Sequence, residues 1–161
     1  MAFDARELVV ALSDAGIDYV VIGGFAVAAH GHVRATKDLD IVPASDIANL
    51  ERLAAVLGDL GATLYGTGDF DPDEFPFDPL DPRQLAEGGN FLLLTRHGRL
   101  DMMQWVPGIQ AEHAYQHLRA SAIETTLAGR PVLVCSREDL IAMKRTAGRP
   151  QDLEDLRALG A

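Results

Sequence analysis

Cysteine and positive charge are both scarce in this sequence. A single cysteine, Cys135, excludes an intramolecular disulfide and fits a reducing compartment. Only 14 lysines and arginines stand against 24 aspartates and glutamates, giving a formal net charge of -10. That balance excludes a surface basic along its whole length, so extensive nucleic-acid binding is not expected. No apolar run approaches the roughly 20 residues that cross a bilayer, so no membrane partner is expected either. The opening "MAFDARELVVALSDAG" mixes acids with apolar residues and lacks a small-residue cleavage site, which reads as a chain without a secretory leader. A cytoplasmic protein is the expectation. Three nucleotide and metal signatures are missing: the GK[ST] phosphate loop, the G-x-G-x-x-G fingerprint and the H-E-x-x-H zinc helix.

What is present is a well-stocked core. Hydrophobic residues make up 48% of the 161, which excludes a disordered chain and suffices for one domain over residues 1–161. Residues 4–15 carry Leu8, Val9, Leu12 and Ala15 at helical spacing before Gly16. "IDYVVIGG" (17–24) reads as a buried strand closed by glycine, and "FAVAAHG" (25–31) as a short helix of small residues. "KDLDIVP" (37–43) reads as a second strand, and residues 45–62 as a helix behind the N-cap Ser45. Residues 90–106 and 123–136 read as hairpins turning near Arg96–Gly98 and Gly129–Arg130. Helices are expected over 109–121, 136–148 and 150–160, the last opening on Pro150. Strands, hairpins and helices in this order predict an α/β (α+β) fold, a mixed twisted sheet with helices packed on it.

Residues 66–90 differ in character. They hold four prolines and seven acidic residues against one arginine. This acidic, proline-rich insertion predicts little regular structure and reads as a lid or partner loop.

The chemistry is concentrated in "YVVIGGFAVAAHGHVRATKDLDIVP", residues 19–43. Asp38 and Asp40 are two apart in a strand, so they share a face with Cα atoms about 6.6 Å apart. Leu39 and Ile41 then point to the core. Two such carboxylates repel each other, and divalent cations would resolve the conflict. The same alternation also suits a strand with one face in solvent. Gly23 and Gly24 stand where a strand turns into a helix. Glycine there lets backbone N–H groups approach a phosphate, or simply makes a tight turn. Asp101 opens an apolar strand in "GRLDMMQWV"; it is a strand-end residue, or a third carboxylate if its strand neighbours that of Asp38 and Asp40.

Taken together, Gly23-Gly24 after a strand, a gap of 13 residues, Asp38-x-Asp40 and the later Asp101 resemble the DNA polymerase β-type nucleotidyltransferase superfamily. The stretch looks most like its small bacterial members: minimal nucleotidyltransferases, antibiotic nucleotidyltransferases and AbiEii-type toxins. Lys144 followed by Arg149-x-x-Asp152 extends the resemblance to the C-terminal helices. It implies that Asp38, Asp40 and Asp101 bind two Mg²⁺ ions (Mn²⁺ being an alternative). It implies that Gly23 and Gly24 hold the triphosphate of an NTP, and that Asp101 helps activate the acceptor hydroxyl. The implied reaction moves a nucleoside monophosphate to a hydroxyl on RNA, protein or a small molecule, in a free-standing enzyme or a toxin–antitoxin component with a protein partner. One departure stands at Gly24, where many catalytic members carry serine. A non-catalytic nucleotide- or partner-binding module of the same fold, and an ordinary interaction domain with surface acids, are the competing readings.

Around this centre, Arg34 and Lys144 read as contacts to nucleotide phosphates or as surface charge. Arg149 and Asp152 read as a helix-start pair that orients Lys144, or as a simple cap. His30 and His32 lack a third ligand at zinc spacing. His113 and His117 read as a solvated helix face, Cys135 as core and Trp105 as sheet packing.

Overall fold

A computed structural model describes residues 2–66, 72–74, 77–110 and 113–161. The chain begins with helix α1 (Ala5–Asp14), whose first turn is capped by the Asp4 carboxylate accepting from the Arg6 and Glu7 amides. Strand β1 (Tyr19–Ile22), the short helix α2 (Gly23–Ala29), strand β2 (Asp38–Pro43) and helix α3 (Ile47–Asp59) follow. Next come strand β3 (Thr63–Gly66), helix α4 (Pro82–Ala86) and the hairpin β4 (Asn90–Thr95) and β5 (Gly98–Met103). Helix α5 (Ala114–Ser121), the hairpin β6 (Ile123–Leu127) and β7 (Arg130–Val134), and helices α6 (Arg137–Ala147) and α7 (Pro150–Ala158) complete it.

The strands form one mixed sheet in the order β3-β4-β5-β2-β1-β7-β6. Antiparallel pairing joins β1 to β2, β6 to β7, and β3 to β4 to β5; two parallel seams, β2 with β5 and β1 with β7, join these units. The expected mixed sheet with packed helices is therefore present. Alternation decides what each face carries. Leu39, Ile41, Leu100 and Met102 are fully buried in the core with Leu8 and Leu12 of α1 and Leu50 and Leu53 of α3. The opposite face of β2 and β5 carries Asp38, Asp40, Arg99 and Asp101. Asn49, fully buried at the start of α3, bonds the Asp18 amide and the Asp18 and Ala44 carbonyls, pinning that helix to the strand ends.

Three expectations need correction. The insertion is not irregular throughout: Asp81 caps α4, Pro82 opens it, and Leu85 is fully buried against the core. Strand β3 begins just before it, and residues 67–71 and 75–76 of the stretch read as a lid lie outside the described residues. The helix expected over 109–121 starts only at Ala114. Gly108 ahead of it turns with φ of 81° against α6, where a Cβ would come within 2.5 Å of the Ala142 carbonyl oxygen. Residues 111–112 are also outside the described set. The second hairpin turns on Ala128–Gly129, both at positive φ, one residue earlier than expected.

Candidate active site

Register builds the site. The parallel seam places Asp40 opposite Asp101 and Asp38 opposite Arg99, while the antiparallel pairing places Ile22, just before Gly23, opposite Asp40. Asp38, Asp40 and Asp101 thereby offer one oxygen each, all within 4.8 Å of one another. Gly23 is indispensable sterically: at φ of 67°, a Cβ on it would lie 2.0 Å from Asp40 Oδ2. A Cβ on Gly24 would come within 2.8 Å of Thr36 Oγ1, and that hydroxyl in turn donates to the Asp38 carbonyl at 3.2 Å. The glycine pair thus makes room for the acids and their support.

The electrostatics reflect crowding. Burial, with Asp38 and Asp101 close by, pushes the Asp40 carboxyl up to about 7. Burial pushes Asp101 up to about 6, although Arg99 opposes the shift. Arg99 Nη2 lies 3.1 Å from Asp101 Oδ2 and 3.6 Å from Asp38 Oδ2, and its guanidinium sits 5.4 Å from the Tyr65 ring centre. Arg99 Nε and Asp101 Oδ1 are buried without a partner among the described residues. An orphaned carboxylate oxygen beside two more carboxylates is a hard, oxygen-only donor set. Such a set suits Mg²⁺ or Mn²⁺.

Lys144 and Arg34 are held elsewhere. Lys144 is buried on α6, its Nζ 3.0 Å from Asp152 Oδ1 and 2.7 Å from Asp155 Oδ2. Arg34 forks onto both oxygens of Asp155 at 2.7 and 2.9 Å. Asp152 also accepts from the backbone amide and Nε of Arg149. It therefore caps α7 and holds Lys144, fulfilling both readings of the helix-start pair. Burial alone would raise Asp155, but the hydrogen bonds from Arg34 and Lys144 bring it down to about 2. This network has three cations and two anions. Its surplus positive charge lies close enough that Arg149 and Lys144 pull against the rise of Asp40. The network clamps the loop ahead of β2 onto the C-terminal helices and fixes where Asp38 begins.

Sequence reasoning missed Arg99 and Asp155. Each had a signal: Arg99 is two residues from Asp101 and so shares its face, and Asp155 is three residues from Asp152 on a helix. Trp105 corrects another expectation, being 66% exposed rather than packed on the sheet. His30 Nε2 bonds the Cys135 carbonyl, and His117 pairs with Asp139 at 2.9 Å. Cys135 is core as expected, its thiol pushed up to about 12 by burial. No helix among the described residues is long and apolar enough to cross a membrane.

No protein-family model and no curated protein sequence matches the chain. Solved structures do. The lincosamide antibiotic adenylyltransferase LnuA, lincomycin-bound, superimposes with a TM-score of 0.64 at 14% identity, over 99% of this chain and 98% of that one. The enzyme ANT(2'')-Ia in complex with adenylyl-2''-tobramycin gives 0.60 at 21% identity, over 96% and 84%. A nucleotidyltransferase-like protein of Thermotoga maritima gives 0.58 at 16%, over 96% and 88%. By its architecture, with the acids on adjoining strands of the sheet, this chain has the nucleotidyltransferase fold.

Proposed function

We propose that the chain is a metal-dependent nucleotidyltransferase that moves a nucleoside monophosphate from an NTP to a hydroxyl of a small molecule. The observation that carries this is the convergence of Asp38, Asp40 and Asp101 within 4.8 Å on a nucleotidyltransferase fold. Asp38, Asp40 and Asp101 would hold Mg²⁺, with Mn²⁺ as a substitute. When bound, these ions supply charge neutralisation for the triphosphate and for the leaving pyrophosphate.

The chain's own groups do the rest. Gly23 and Gly24 present bare backbone beside Asp40, where the triphosphate can lie against the sheet. The acceptor oxygen attacks the α-phosphorus in line, the bond to the β-phosphate oxygen breaks, and the hydroxyl proton passes to Asp101, whose Oδ1 has no hydrogen-bond partner among the described residues. Arg34 and Lys144 act through the clamp, by placing Asp38, and by lending positive charge to the phosphate side of the site. Two neighbours are described as adenylyltransferase with lincomycin and as complexed to adenylyl-tobramycin, which supports ATP as donor and small polyhydroxylated acceptors. A toxin role would need an RNA or protein acceptor, and the net charge of -10 disfavours RNA.

The test is nucleotide transfer from labelled ATP, GTP, CTP and UTP, with Mg²⁺ or Mn²⁺, onto tobramycin or lincomycin. Product is expected with wild type and at least a thousandfold less with Asp38→Asn or Asp40→Asn. Transfer that survives both substitutions would remove the acids from the mechanism.

A further inference from the structure

Two arginines meet carboxylates around the site, and they hold them in different ways. Arg34 forks onto Asp155, its Nε and Nη2 each meeting an oxygen of its own at 2.7 and 2.9 Å. That two-point contact is the geometry in which a guanidinium grips a carboxylate most firmly. Arg99 holds its acids more loosely. Its Nη2 donates to Asp101 Oδ2 at 3.1 Å and stands 3.6 Å from Asp38 Oδ2, beyond hydrogen-bond distance. Its Nε is buried with no hydrogen-bond partner among the described residues. The side chain is 35% exposed, and its guanidinium also lies 5.4 Å from the ring centre of Tyr65, itself 57% exposed. An arginine beside an aromatic ring keeps part of its stabilisation without any carboxylate.

Arg99 and a divalent cation call on the same groups. Asp38 and Asp101 are two of the three acids whose oxygens converge within 4.8 Å. The parallel register sets Arg99 opposite Asp38, and Asp101 follows two residues along the same strand, so the backbone keeps the guanidinium on the acid face. Asp101 Oδ1 has no hydrogen-bond partner among the described residues, yet it belongs to the carboxylate whose Oδ2 Arg99 holds. A cation drawn to that oxygen meets the guanidinium's positive charge on the same carboxylate. Like charges that close repel strongly in a partly buried site.

We propose that Arg99 is a resident counter-cation that sets the concentration at which divalent cations bind the acids. It balances Asp38 and Asp101 through a hold far looser than that of Arg34 on Asp155, and it yields them to the ion while keeping its place beside Tyr65. The proposal rests on the metal-dependent reading above. It makes Arg99 a rival of the ion. An arginine that only oriented the acids would be a helper, and its loss would weaken metal binding.

Mn²⁺ affinity, read by electron paramagnetic resonance with no nucleotide present, tests the rivalry. Arg99→Met should bind Mn²⁺ about tenfold tighter than wild type. Arg99→Lys, which keeps the charge, should stay close to wild type. Arg130→Met removes an exposed arginine paired with Asp14 on the hairpin at the sheet's edge, and it should leave the affinity unchanged, which separates a local effect from a change in net charge. Should Arg99→Met fold poorly, wild type carries the test: exchange of the Arg99 guanidinium protons with water, followed by NMR, should quicken as Mg²⁺ saturates the site. Equal or weaker Mn²⁺ binding by Arg99→Met overturns the proposal. So does the same gain in Arg99→Lys or Arg130→Met, or guanidinium exchange that stays constant or slows. In each of these cases the metal site itself stands if Asp38→Asn abolishes the binding seen in wild type. If neither wild type nor Arg99→Met binds Mn²⁺, the metal-dependent reading fails, and the proposal falls with it.

Discussion

Of the described glycines, Gly23 leaves the least room for a side chain. An alanine there meets two obstacles: a left-handed backbone, costing about 1–2 kcal/mol, and the Asp40 carboxylate, 2.0 Å from the new Cβ. Gly16 separates the two. It has the same φ of 67° but nothing within 4 Å. Gly16→Ala should lower stability by about 1 kcal/mol and leave transfer intact. Gly23→Ala should cost more stability and reduce transfer at least a hundredfold; denaturation midpoints and turnover measured on both variants test this. The residues legible from sequence were those whose meaning is local. Asp38-x-Asp40 and the glycine pair declare themselves within one strand and one turn. Arg99 does not, because its importance comes from standing opposite Asp38 across a seam that only the fold creates.

Helix α7 shows what an element's pattern can hide. Read as an amphipathic helix, "PQDLEDLRALG" would bury its leucines and expose its acids. Leu156 and Leu159 are indeed buried, but Asp152 and Asp155 are buried beside them while Leu153 is 45% exposed. The face that packs inward thus carries both the leucines Leu156 and Leu159 and the ion pairs of Asp155 with Lys144 and Arg34, and Leu153 lies outside it. Removing one charge from a buried pair strands the other, at a cost of about 3–5 kcal/mol. Asp155→Asn should therefore destabilise the fold by about 3 kcal/mol or more, and chemical denaturation should recover part of that loss in the double variant with Lys144→Met. Unchanged stability in Asp155→Asn would show that the network contributes nothing to the clamp. The other elements were largely legible, from strand alternation and helical spacing. The exceptions, β3 and α4, are only four and five residues long. Such lengths give too few positions for a period to show.

At the scale of the molecule, the crowded acid face makes stability depend on pH, and the proposed metal site should make it depend on Mg²⁺ as well. The Asp40 and Asp101 carboxyls are raised to about 7 and about 6, above their ordinary 3.8. The native state therefore binds protons that the unfolded chain releases, and stability falls as pH rises through that interval. Asp155 works in the opposite sense, but at about 2 its contribution is lost only in stronger acid. In EDTA, the thermal midpoint should be higher at pH 5 than at pH 7.5; with Mg²⁺ the difference should shrink or reverse, because the ions replace the protons. Melts followed by circular dichroism at the two pH values check this, and a midpoint that climbs with pH in EDTA would contradict it.

The β2–β5 seam has one more consequence. Asp40 and Asp101 face each other across it, yet they lie about sixty residues apart along the chain, and whatever grips both closes a loop of that length. Loop closure grows costlier only slowly with length, so the segment between them can lengthen or shorten at little thermodynamic expense. A bound ion would then be a removable fastener, tying the antiparallel pairs β1–β2 and β4–β5, which the chain itself joins only by a long detour. Within the detour, Asn49, Leu50, Leu53 and Leu85 are buried, so changes of length are tolerated in the connections and not in α3 or α4.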